Sequence, residues 1–124
     1  MSNMTEDQLG TLKISDDVIV ICAMNATMKI DGVCELSGGI TDNITKNILG
    51  KEPYTKGIKL SRSDEGLILD IYVIVSYEVR IPQLAWEIQA QVKKEIENIT
   101  DLKVKAVNIH VQGVKFPEED TIND

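Results

Sequence analysis

A single histidine, two cysteines and no run of basic residues set narrow limits on the chemistry this 124-residue chain can perform. General acid–base catalysis needs a nucleophile or a second proton carrier within hydrogen-bond reach of the base. His110 lies in Asn108-Ile109-His110-Val111-Gln112, where polar and apolar residues alternate. That period of two puts His110 on the polar side of a strand, with Asn108 and Gln112 for company. The plain account of His110 is a solvated strand residue; the sharper one is a contact residue on an open sheet face. Cys22 and Cys34 have mostly apolar neighbours and read as small buried hydrophobes in a reducing compartment. Two cysteines and one histidine cannot build a zinc site alone, so no metal is expected.

Other chemical signals are weaker still. Gly38-Gly39 lacks the Lys and Ser/Thr that follow the glycines of a phosphate loop, and reads as a plain turn. Asp64-Glu65 lacks the alternating oxygen ligands of a calcium loop. Ser76 has no glycine elbow around it. The acidic residues are scattered, and no pair is spaced to share proton transfer. These patterns predict no catalytic residue, no cofactor and no enzyme activity.

The formal net charge is −7. A chain so acidic is repelled by phosphate backbones and by anionic membrane surfaces, which argues against nucleic acid as a partner. The segment Met1–Gln8 has no basic stretch leading into an apolar one, so no signal peptide is expected. The longest apolar run, Val18–Met24, is far short of the ~20 residues a membrane span needs. The expected location is cytoplasmic, with any membrane association made through a partner.

The elements that would hold these residues are legible from periodicity. Residues 1–9 read as a flexible tail, and Thr11 to Ser15 alternates like a short strand. Ser15-Asp16-Asp17 supplies capping oxygens for a helix over Val18 to Met28, apolar almost all round and so expected to be largely buried. Val33 to Leu36 reads as extended. Ile40, Ile44 and Ile48 fall four apart and predict a short second helix. Gly57 to Ser63 and Leu67 to Tyr77 alternate as strands around the turn Asp64-Glu65-Gly66, predicting a hairpin.

Pro82 suits the first turn of a long helix. Its stripe is Leu84, Ala85, Ile88, Val92, Ile96 and Ile99. A last strand runs from Leu102 to Phe116, with a phase shift and hence a bulge expected between Val104 and Val107. The fold class is α+β in two layers, β-α-(β)-α-β-β-α-β, with helices on one face of a mainly antiparallel sheet. One domain spans residues 10–116, and an acidic disordered tail is expected over 117–124.

If the helices cover one side of the sheet, the other shows Ile68, Tyr72 and Ile74 together with Asn108, His110 and Gln112. Three large apolar groups on an exposed face make an interaction patch, with self-association its simplest use. The plain alternative is that a tail or the second helix covers them. Trp86 lies about 80° beyond the apolar stripe of its helix, so at least half of it should be exposed. Tryptophan is enriched at binding hot spots, though its ring can also fold back over the stripe.

The runs Asp70-Ile71-Tyr72-Val73-Ile74-Val75-Ser76-Tyr77 and Val107-Asn108-Ile109-His110-Val111-Gln112-Gly113-Val114 resemble the alkaline shock protein family of Gram-positive bacteria. Ile81-Pro82, Gln89, Val92, Ile99-Thr100 and Leu102 between them agree, and the likeness extends over roughly residues 9–116. The short length resembles the small housekeeping-type members. The resemblance implies a non-enzymatic assembly or adaptor protein in the envelope stress response and homeostasis. It also implies contacts with a small membrane anchor protein or a lipid-metabolism protein. Glu78 stands where the family usually has glycine, which puts the local turn in question. The competing expectation is an RNA-binding module on the open sheet face, but only Tyr72 offers a stacking ring there and the charge opposes it.

Overall fold

The computed structural model describes residues 9–38 and 57–116. Its elements are helix α1 (Asp16–Met28), strands β1 (Val33–Leu36), β2 (Ile58–Ser63) and β3 (Gly66–Ser76), helix α2 (Ile81–Thr100) and strand β4 (Val104–Lys115). The fold is α+β, as the periodicity predicts.

β3 is the centre of the sheet because it alternates without a break. Leu67, Leu69, Ile71, Val73 and Val75 are buried, and every residue between them is half-buried. β1 and β2 lie one after the other along one edge of β3, both antiparallel to it. The backbone of Tyr72 marks their junction: its carbonyl accepts from Ser37 N–H, and its N–H donates to the Gly57 carbonyl, each at 2.8 Å. The chain therefore leaves the edge at Ser37 and rejoins it at Gly57. A Cβ on Gly57 would lie 2.8 Å from that of Leu36, and its φ is +79°, so glycine fits that junction.

β4 pairs with the other edge of β3 and runs parallel to it. β3, α2 and β4 thus form a βαβ unit, the one departure from antiparallel pairing among the described strands. The expected bulge is present, with a register shift between Val104 and Ala106; a second falls between Val111 and Gly113.

Both helices pack on the same face. Leu84, Ile88, Val92 and Ile96 of α2, and Ile19, Val20, Ala23 and Ala26 of α1, close the core over β3. Pro82 occupies the first turn of α2, and Asp101 ends the helix in the left-handed region, its N–H donating to the Glu97 carbonyl. The buried hydroxyls of Thr27 and Thr100 each donate to a carbonyl four residues back, so neither is left unpaired.

Six expectations change. Ser15 is the N-cap of α1, but its side chain makes no capping bond. Ile99, on the expected stripe of α2, is 62% exposed. Thr11 to Ser15 is irregular and not a strand, and Leu12 is exposed: alternation alone makes no strand where no neighbour accepts its ladder bonds. α1 is only half sunk, because among the described residues nothing covers Val18, Ile21 and Met28 on its outer side. Cys34 is exposed and Cys22 half-buried; a register shift between Val33 and Glu35 turns Cys34 out of the pleat. Tyr77 lies past the end of β3 and is exposed. The turn at Glu78 needs no glycine. Among the described residues Asp101 is the only non-glycine with positive φ, and the turn closes through Val79 N–H onto the Ser76 carbonyl. The predicted second helix at Ile40, Ile44 and Ile48 and the acidic tail lie outside the described residues.

Candidate functional site

The sheet face opposite the helices, left open by the described residues, is where sequence and structure meet most closely. Alternation puts Ile68, Asp70, Tyr72 and Ile74 on this side of β3, and the parallel ladder sets their partners. Asp70 stands opposite Asn108, and Tyr72 opposite His110. The side chains follow that register. His110 Nε2 donates to Asp70 Oδ1 at 2.9 Å, and Asn108 Nδ2 donates to the same oxygen at 3.2 Å. The His110 imidazole stacks on the Tyr72 ring with centroids 4.4 Å apart and planes 13° from parallel.

This arrangement is an ordering device. A carboxylate can only accept, so Asp70 keeps the proton on Nε2 and leaves Nδ1 of the neutral ring as an acceptor. The stack fixes the ring plane, so the imidazole has little side-chain entropy left to lose. Ile68 and Ile74, half-buried, flank the polar centre along β3. Asn108 and Gln112 are exposed on β4. An Asp–His pair is also two parts of a nucleophilic triad, but among the described residues no serine, threonine or cysteine is bonded to His110.

Of the predicted site residues, the structure gathers Ile68, Tyr72, Ile74, Asn108 and His110 on one face; Gln112 falls in the register shift between Val111 and Gly113, and Gly113 takes the place beside Ile74. Trp86 belongs elsewhere. It is 62% exposed, on α2, in the helical layer on the opposite side of the sheet. Asp70, the hub of the polar centre, was not among the predicted contact residues. Alternation put it on the right face, but only the register with β4 shows what it holds. A second aromatic pair also escaped the sequence: Tyr77 and Phe116 stack at 4.4 Å, one from each side of the β3–β4 end.

Electrostatics is concentrated on α2. Bonds from Lys29 and then Gln91 hold the Glu95 carboxyl below its ordinary value, joining α2 to the end of α1. The Val104 N–H does the same for Glu97. Burial, with Glu95 nearby, raises the Cys22 thiol, so that it favours the neutral form. Among the described residues no three metal-binding side chains are grouped, and no helix is long and apolar enough to cross a membrane.

Comparison with known proteins agrees with the motif resemblance. The profile of the alkaline shock protein 23 family, described as having a cell envelope-related function, matches residues 4–116. The Bacillus subtilis protein YqhY is 32% identical over 111 residues, covering 90% of this chain and 82% of its own. The Streptococcus pyogenes protein Spy1614 is 34% identical, covering 89% and 92% respectively. A Streptococcus pyogenes protein named stress response regulator gls24 homolog is 25% identical over 94% of this chain, which spans 65% of that longer relative.

Proposed function

The chain belongs to the alkaline shock protein 23 family, with its cell envelope-related role in the stress response, and from that premise we propose that it is a non-enzymatic assembly or adaptor protein. It works through protein contacts from the cytoplasm and reaches the membrane through a partner. The partners that suit this reading are a small membrane anchor protein, a lipid-metabolism protein, or a second copy of the chain. The observation that carries it is the open sheet face. Ile68, Tyr72 and Ile74 surround a polar centre whose rings and hydrogen bonds are already fixed. Mixed apolar and polar surface with pre-ordered side chains is what a protein partner needs, because little entropy remains to be lost.

The test is affinity capture of the tagged full chain from cells that express it, with soluble and membrane fractions kept apart, beside Tyr72→Ala. Capture of a membrane or lipid-synthesis protein by the wild type, and its loss in the variant, supports the adaptor reading. Equal capture by both removes the open face from it. The Tyr72–His110 stack also gives RNA binding a specific foothold, since a base can stack on either ring. The net charge of −7 opposes that reading, and retention of mixed RNA on a filter at low salt would promote it.

A further inference from the structure

The outer edge of β4 (Val104–Lys115) is guarded over its first third, from Val104 to Val107. Gln89, Lys93 and Glu97 form one row of α2, four residues apart. Gln89 donates to the Val107 carbonyl at 3.0 Å, Lys93 donates to the Val104 carbonyl at 3.0 Å, and Glu97 accepts from Val104 N–H at 2.9 Å. In a parallel ladder every second residue turns both backbone groups to the same side. Beyond Val107, and allowing for the shift at Gly113, the outward groups belong to Ile109, Val111 and Val114. Among the described residues nothing bonds to them.

Exposed strand edges are usually blunted by charge, proline, bulges or brevity. The opposite edge has these guards: β1 is four residues long, β2 carries Lys59 and Arg62, and the line breaks between Ser37 and Gly57. The distal β4 edge has few. From Asn108 to Val114 it holds no acidic residue, lysine, arginine or proline. An apolar flank accompanies it. Trp86 continues the α2 row one turn beyond Gln89, and Val114 is exposed beside the Tyr77–Phe116 stack.

We propose that this edge pairs with the same edge of a second copy, antiparallel about a two-fold axis near Val111, to form one continuous sheet. The inference deepens the assembly reading and rests on it. The occupant is a second copy because the stretch is its own complement. Both copies bring the same unpaired backbone groups, and such an interface is isologous. Two chains of net charge −7 repel one another, but the segment that meets at the axis is neutral, so no like charges face across it. The axis sets His110 of one copy against Gln112 of the other. Trp86 lies on the side of α2 nearest the second copy's helix, where a tryptophan contributes most.

Sedimentation velocity of the full chain over a concentration series tests this, with Trp86→Lys and Gln112→Lys at exposed positions and Ile74→Asp as an open-face control. The wild type is expected to dimerise, and more tightly as salt screens the net charge. Each lysine variant is expected to weaken the dimer about tenfold or more with unchanged circular dichroism, since an interfacial hot spot is worth ~2 kcal/mol. The Ile74→Asp protein stays dimeric. A monomeric wild type at every concentration overturns the pairing, while partner capture still decides the adaptor reading. A dimer untouched by both lysines but broken by Ile74→Asp overturns the edge and moves self-contact to the open face.

Discussion

The two faces of β3 come from one alternating run of residues and have opposite fates. On the helix-covered face, Leu69, Ile71, Val73 and Val75 are fully buried, and any aliphatic of the right volume serves. On the open face, Ile68, Asp70, Tyr72 and Ile74 stay half-buried, and their identities set a particular geometry with Asn108 and His110. Where the helices reach, the side chains hold the fold. Where they do not, among the described residues nothing covers them.

Substitutions separate the two faces most sharply in stability. Ile71→Ala removes a fully buried side chain and is expected to cost about 2–5 kcal/mol, read as a drop in urea midpoint. Tyr72→Ala, its neighbour on the other face, should cost clearly less. A comparable loss would mean that the open face is core after all.

Gly66 tests how closely β3 must approach the segment that leads into β4. Its φ is +136°, and a Cβ there would sit 2.7 Å from the Lys103 carbonyl. Gly66→Ala is expected to destabilise by about 1–3 kcal/mol, the usual range for a residue forced into such backbone. The same denaturation series measures it.

Glu97 tests the helix-guarded edge through pH. Folding favours its charged form, first because it accepts from Val104 N–H, so its carboxyl lies below the ordinary 4.5. Its contribution is complete above that value and disappears as pH falls through the lowered one. The wild-type advantage over Glu97→Gln in urea midpoint should therefore hold at neutral pH and close in acid. A gap that is constant with pH would assign the effect to packing.

The smallest expected change is at the polar centre itself. Asp70→Ala removes the bonds to His110 and Asn108 and should shift stability by about 1 kcal/mol. Nitrogen chemical shifts of His110 should nonetheless report a tautomer mixture in place of one fixed form. An unchanged spectrum would mean that stacking on Tyr72, and not Asp70, orders the ring.

Much of this contrast was legible in the sequence because it depends on period. The alternation of Leu67 to Val75 and the stripe of Leu84, Ala85, Ile88, Val92, Ile96 and Ile99 identify their own buried sides without a structure, except that Ile99 is exposed. Pairing was not legible. Nothing in Asp70 or His110 announces that their strands run side by side and parallel, so the hub of the polar centre emerges only from register. Thr11 to Ser15 shows the converse failure, since it has the strand period but no partner. α1 shows another: uniform apolarity tells how much surface seeks cover, not how much finds it. Glu97 and Lys93 lie off the apolar stripe of α2, and their bonds to the β4 edge depend on a crossover that spacing does not encode.

The central claim is that the open face is spared from the fold for contact, and Ile74→Asp tests it in one experiment with two readouts. Urea denaturation and capture of membrane-fraction partners would be measured on the same purified variant. The account predicts a nearly unchanged midpoint with partner capture lost. A collapsed midpoint, or full capture despite a charge on that face, would contradict it.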